Sequence, residues 1–261
     1  MSRTRPLLIA GAALAIGGLL WAERRRPLRE RTLPQWPRLA TNLLLGASCA
    51  LVIRAVETPL VGRIAATNEA KTRGIMHLLP RRLRFAGGLL AMDYAYYWWH
   101  VATHKVPFLW RFHRVHHLDR DLDSSTAIRF HALDMLVSLP FRLVQTRLVG
   151  VDPATHRAWQ DFFFASVLFH HSNLRLPHGW DRALSHLLTT PKMHGIHHSA
   201  VLSEQDSNWT SGFSLWDRLH GTFRDDVPQG AITIGLDDAR SLDDLDPVDL
   251  VRAPFRPLPQ R

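Results

Sequence analysis

Apolar residues in this chain fall in long blocks rather than in the two-residue alternation of a half-buried strand, and the blocks have helix lengths. An uncharged run from Leu7 to Ala22 follows Arg3 and Arg5 and precedes Glu23, Arg24, Arg25 and Arg26. It is slightly short for a bilayer span, but snorkelling arginines extend its reach. A secretory signal peptide has similar flanks; the direct passage into charged residues, with no clear cleavage site, favours a retained anchor. A second block, Leu39 to Ile53, is interrupted by Arg54 and resumes from Ala55 to Ala66 with Glu57 and Arg63 inside it. It reads as a short span or a hairpin lying in the interface, with the re-entrant form preferred.

A third block begins near Phe85 and runs into Asp93-Tyr94-Ala95-Tyr96-Tyr97-Trp98-Trp99-His100. The aromatic run fits either an interfacial belt on a helix leaving a membrane or bulky packing in a helical core. After a polar, histidine-bearing segment, Thr103 to Arg129, two apolar segments, Ala132 to Val149 and Trp159 to Phe169, flank the turn Gly150-Val151-Asp152-Pro153 and predict a helical hairpin. Beyond Arg175 long apolar runs cease. The expected organisation is a membrane anchor and basic linker over 1–84, a catalytic region over 85–224, and a soluble, acidic, Pro-rich tail over 225–261. The fold class expected is all-α, an integral membrane helical bundle carrying a cytosolic, histidine-lined helical cap.

Charge sharpens this picture. The net charge is +9, but residues 1–84 carry 15 Lys+Arg against 4 Asp+Glu, and residues 225–261 carry 4 Arg against 8 Asp. The arginines flank apolar runs instead of forming a nucleic-acid reading motif, so they are read as membrane-flanking charges and no nucleic-acid partner is expected. The single Cys excludes a disulfide framework, a cysteine-ligated zinc ribbon and an iron–sulfur cluster held by four thiolates. Cys49 itself reads as a small buried hydrophobe.

Histidine is the residue in excess, 16 in 261, and its placement carries the chemistry. His100 and His104 form HxxxH; His113, His116 and His117 form HxxHH; His170 and His171 follow the hairpin; His194, His197 and His198 form a second HxxHH. Residues three and four apart share a helix face and can converge on a metal ion, while the adjacent histidine points aside and can reach a second one. His77, His156, His178, His186 and His220 stand alone and read as surface or hydrogen-bonded residues. His131 is a candidate on the substrate side or behind the ligands. Asp93, Asp119, Asn173, Asp206 and Asn208 are candidates to hold the second nitrogen of a ligand ring, with helix capping as the competing role.

The order of boxes, together with His171-Ser172-Asn173-Leu174-Arg175-Leu176-Pro177, Thr190-Pro191-Lys192-Met193-His194, Asp206-Ser207-Asn208-Trp209 and Leu215-Trp216-Asp217-Arg218-Leu219-His220-Gly221-Thr222-Phe223, resembles the fatty acid hydroxylase superfamily of sterol desaturase-like membrane oxygenases. The resemblance implies a membrane-embedded helical oxidoreductase with two iron ions on the cytosolic side, using O2 to hydroxylate or desaturate a sterol, fatty acyl or related lipid. Carried over by position, the ligands would be His100, His104, His113, His116, His117, His194, His197 and His198, completed by His170 or His171. Members often have a Glu after a His-Pro pair where this chain has Ala132 and Asp134, a departure that bears on His131. Gly17-Gly18 and Gly87-Gly88 do not make a dinucleotide fingerprint, so electrons must come from a separate reductase or carrier.

With the boxes cytosolic, the helix ending at His100 runs outside to inside and Arg24 to Arg31 lie inside. An excess of Arg over Lys points to a bacterial inner membrane. Two other classes fit a poly-histidine site: a zinc hydrolase, which would turn over without oxygen or reductant, and a non-catalytic metal-stapled membrane protein.

Overall fold

A computed structural model describes residues 4–237, 243 and 245–258. Among these residues there is no named strand, only isolated bridges such as Pro27–Leu174. The helices are α1 (Thr4–Arg25), α2 (Gln35–Val52), α3 (Thr58–Lys71), α4 (Arg81–Lys105), α5 (Pro107–His117), α6 (Ala132–Val149), α7 (Pro153–His171), α8 (Trp180–Leu184), α9 (Pro191–His197), α10 (Leu202–Gln205), α11 (Leu215–His220) and α12 (Pro247–Arg252). The chain is all-helical, as its blocks of apolar residues predict.

The second apolar block is not a hairpin. α2 and α3 form one continuous helical run joined by a π turn over Ile53–Glu57. Pro59, which follows, has no N–H to donate and would clash with the carbonyl four residues back; the widened turn accommodates it without breaking the helix. The run Gln35–Leu78 is long and apolar enough to cross a membrane by length and composition.

α3 and α2 pack on α6, and α4 packs on α6 and α7. The expected hairpin is α6 and α7: Gly150 closes α6 in the left-handed region at φ 78°, and Asp152 caps α7 by accepting from the amides of Ala154 and Thr155, both at 2.9 Å. At Gly150 a Cβ would stand 2.3 Å from the carbonyl oxygen of Arg73, so glycine is required where the end of α3 meets the end of α6.

At the far end of α4 the helix changes direction. Pro107 disfavours helical backbone at Val106, which is extended at φ −95°, ψ 114°, so α4 stops at Lys105 and α5 starts at once. This corner folds the second histidine box back against the first. α9 closes the same end from the side of α7. The aromatic run of α4 faces largely inward: Tyr96 packs on Trp159 and Phe163, and Tyr97 is 2% exposed and hydrogen-bonded to Thr222. The tail is more than an irregular end. Leu250 and Ala253 are buried with Leu45, Val115 and Leu118, which lays α12 against α2 and the turn that follows it, Ala253–Phe255, against α5.

The segment after α5 is tied to α2 through buried charge. Arg38 grips Asp119 with two parallel bonds of 2.7 and 2.8 Å and reaches Asp123 at 2.6 Å. Burial, the largest single effect, would raise both aspartate pKa values, but Arg38 together with Arg129 and Thr126 at Asp119, and with Ser125 at Asp123, holds both carboxyls below their ordinary range. Removing one partner of such a buried network leaves uncompensated charge. Arg38→Met should therefore lower the stability of the detergent-solubilised protein by about 3–5 kcal/mol, read as a large drop in thermal unfolding midpoint; an unchanged midpoint would mean the network is dispensable.

Candidate metal centre

Helix geometry brings the boxes together. His100 and His104 lie one turn apart on the last turns of α4, His113, His116 and His117 on the inward face of α5, His170 and His171 at the end of α7, and His194, His197 and His198 on α9 and its C-terminal residue. Thr190 starts α9 by accepting from the amide of Met193, with Pro191 at the first helical position. None of the ten histidines is more than 6% exposed.

They sort into two groups of four. His100, His104, His117 and His197 form one, His116, His171, His194 and His198 the other, and in each group the ligand atoms lie within 4.8 Å of one another. The adjacent rings of each HxxHH divide between the groups. The groups themselves touch, since His117 stacks on His198 at 4.3 Å between ring centroids. His113 and His170 belong to neither quartet. His113 packs against His104, His117 and His100 at 4.9, 5.1 and 5.2 Å, and His170 stands 4.0 Å from His194.

The nitrogen geometry fits metal ligation. In the second group the Nε2 atom of His171 faces Nε2 of both His116 and His194 at 2.9 Å, and His194 faces Nε2 of His198 at 3.1 Å. Nitrogens bound at about 2.1 Å to one ion and at right angles stand about 3.0 Å apart. In the first group the Nε2 atom of His197 and both ring nitrogens of His117 have no hydrogen-bond partner among the described residues. Leaving such buried polar atoms unsatisfied costs about 1–3 kcal/mol each.

Three rings are oriented by backbone. Nδ1 of His100 donates to the Trp209 carbonyl at 2.6 Å, that of His171 to Val167 at 2.8 Å and that of His197 to Ser207 at 2.9 Å. A carbonyl only accepts, so each ring carries its proton on Nδ1 and turns an Nε2 lone pair inward. Burial, followed by repulsion from neighbouring imidazoles, pushes His117, His194 and His198 well below the ordinary histidine value. Burial lowers His197 to about 3 despite its bond to Ser207. These four rings are neutral nitrogen ligands.

The residues expected behind the rings work further out. Asp93 accepts from the Phe213 amide and the Trp216 indole, and Asp206 pairs with Lys105. Asn173 exchanges bonds with the backbone of Arg29. Asn208, at φ 50°, bonds Met193 and Arg224 and so shapes the loop that presents the Ser207 and Trp209 carbonyls. Asp119 holds Arg38, as above. His131 caps α6 through the Leu133 amide and meets the Val251 carbonyl. Sequence reading missed the three carbonyls, which carry no side-chain signal, and Asp134, whose Oδ2 lies 3.9 Å from His113 Nδ1.

A cavity of about 370 Å³ opens from the cluster into the helices, with His100, His116, His171 and His194 on one side and Trp99, Phe163 and other apolar groups elsewhere in its wall.

Two predictions follow from the separate quartets and their neutral rings. Elemental analysis should find two metal ions per chain, falling to about one in His117→Ala and in His194→Ala; loss of both ions in either variant would mean a single cooperative site. In metal-stripped protein, the unfolded chain takes up protons near pH 6.5 that the folded cluster refuses, so stability is full above that pH and is lost as pH falls below it. The slope should be about 1.4 kcal/mol per pH unit for each such histidine, read from thermal midpoints; a flat profile from about pH 7.5 to 5 would contradict it.

Residues 85–222 match the family model for fatty acid hydroxylase. Among curated proteins, an ornithine lipid hydroxylase of Rhizobium tropici is 30% identical over 158 residues, 60% of this chain and 46% of its own length. Human alkylglycerol monooxygenase is 28% identical over 134 residues, 51% of this chain and 29% of its own length. Human cholesterol 25-hydroxylase is 30% identical over 140 residues, 52% of this chain and 49% of its own length. The chain thus spans about half or less of the length of these relatives, and no solved structure matches it. With the match covering the boxes, both quartets and the loops that hold them, the chain belongs to the fatty acid hydroxylase family.

Proposed function

We propose that this protein is an integral membrane, di-iron, O2-dependent lipid hydroxylase. The observation that carries the reading is the pair of buried all-histidine quartets opening onto an apolar cavity. One iron would be held by His100, His104, His117 and His197 and the other by His116, His171, His194 and His198, with His113 and His170 at the margins. When bound, the two ions supply the redox chemistry that places one oxygen atom of O2 in a C–H bond while the other leaves as water, using two electrons from a separate reductase or carrier. Hydroxylation is favoured over desaturation because the relatives above are named hydroxylases or monooxygenases.

The chain's own residues prepare that step. Neutral imidazoles present lone pairs instead of protons, and the Trp209, Ser207 and Val167 carbonyls keep three of them in one tautomer. Phe130 lies flat on His116 at 4.3 Å between centroids, giving the ligand an apolar face. The rest of the cavity wall excludes water that would quench a reactive oxidant and lets a hydrocarbon chain approach. The helical run of α2 and α3, which carries a stretch long and apolar enough to cross a membrane, and the arginine-flanked α1 support membrane embedding, with 1–84 as anchor, 85–224 as catalytic region and 225–261 as a tail on the cytoplasmic side of a bacterial inner membrane.

Lipid mass spectrometry of cells with and without the gene should reveal a product heavier by one oxygen. That product should disappear in His116→Ala and His194→Ala, and under anaerobiosis. Turnover that persists without oxygen would overturn the reading in favour of metal-activated hydrolysis.

A further inference from the structure

The histidines occupy only part of the cavity wall. Elsewhere in it, among Ile53, Tyr96 and Phe163, sit Glu57 from the π turn and Arg142 from α6. Nη1 of Arg142 donates to Oε1 of Glu57 at 3.0 Å, and the two side chains are 16% and 4% exposed. Arg142 Nε donates to Ser138 at 3.2 Å. Oε2 of Glu57 is buried without a partner among the described residues, and the bonds of Arg142 to Ser138 and Glu57 use its Nε and Nη1, not its Nη2.

A buried ion pair adds little stability over apolar residues of the same volume, and an unsatisfied carboxylate oxygen beside it is a further cost. A ligand that donates to Oε2 and accepts from Nη2 would remove that cost. The position suits such a ligand. Asp134 lies beside His113, and Arg142 is about 12 Å further along α6 by helix rise. Its side chain leans back toward Ser138, which leaves its head group on the order of 10 Å from the histidine end. An anionic group there would meet the Glu57 carboxylate, and a cationic one the Arg142 guanidinium, at low dielectric.

We propose that Glu57 and Arg142 select the substrate by binding an uncharged group that both donates and accepts a hydrogen bond, a hydroxyl or an amide, and so hold the lipid with its reacting carbon at the histidines. The proposal takes from the preceding reading only that a lipid enters this cavity.

Binding of tritiated cetyl alcohol, palmitamide, cetyl sulfate and hexadecane to the full chain in nanodiscs tests it without turnover. The alcohol and the amide should bind at least tenfold tighter than the sulfate and the hydrocarbon. The double variant Glu57→Leu with Arg142→Met removes both charges of the pair together, and it should lose the preference. Glu57→Gln keeps an acceptor for Arg142 while uncovering its charge, and should shift the preference toward cetyl sulfate; a purely structural pair would not produce that shift. If the wild type binds all four probes alike, or keeps its preference in Glu57→Gln, the proposal falls. Oxygen insertion into lipid by the same preparation would then leave the hydroxylase reading standing.

Discussion

Ten imidazoles buried against one another impose the constraint to which the rest of this molecule answers. A protonated ring in their midst would sit in a low dielectric beside other rings, so burial and mutual repulsion hold His100, His116, His117, His170, His194 and His198 well below the ordinary histidine value. Neutral rings carry lone pairs, and lone pairs turned inward need a Lewis acid or a proton to meet them. The ends of α4, α5, α7 and α9 have to converge, and each ring has to keep one tautomer. The proline corner at Val106–Pro107 and the cap of α9 at Thr190 deliver the first requirement. Backbone carbonyls deliver the second for His100, His171 and His197.

The layer outside the rings is charged, and hydrogen bonds and ion pairs tie it to the helices around it. Arg38 with Asp119 and Asp123 fastens the segment after α5 to α2. Glu23 accepts from Ser124 and from the Asn173 amide, which ties the end of α1 to the segments after α5 and after α7. α12 and the turn after it cover α2 and α5 from behind. Regions that the charge distribution separates along the chain, a basic N-terminal part and an acidic tail, are thus both used to brace one end of the bundle. The bracing matters because ligand rings held by loops are only as well placed as the loops.

Away from that end the interior changes character. Aromatic and aliphatic groups wall the cavity, and the Glu57–Arg142 pair is its conspicuous polar feature. A reactive centre at one side and a polar pair on the order of 10 Å away would let a single slot measure both the chemistry and the length of a ligand.

All-helical class, the hairpin at Gly150–Pro153 and the family were legible in the chain, because blocks of apolar residues and i, i+3, i+4 histidines report local periodicity directly. The division of eight of the ten histidines into two quartets was foreshadowed by the adjacent pairs His116-His117 and His197-His198, since neighbours on a helix point about 100° apart. Which ring joins which group depends on how four helix ends meet, and that is a long-range matter. The same holds for the continuous α2–α3 run, where a π turn absorbs Pro59 and a polar residue in an apolar block proves to be half of an ion pair. It holds too for Asp93, Asn173, Asp206 and Asn208, which were expected at the rings and instead hold loops and corners around them. Sequence alone determined which atoms could ligate and in what local order. Only the tertiary structure decided what stands behind each ring, because a backbone carbonyl is common to every residue and is selected by where the fold puts it.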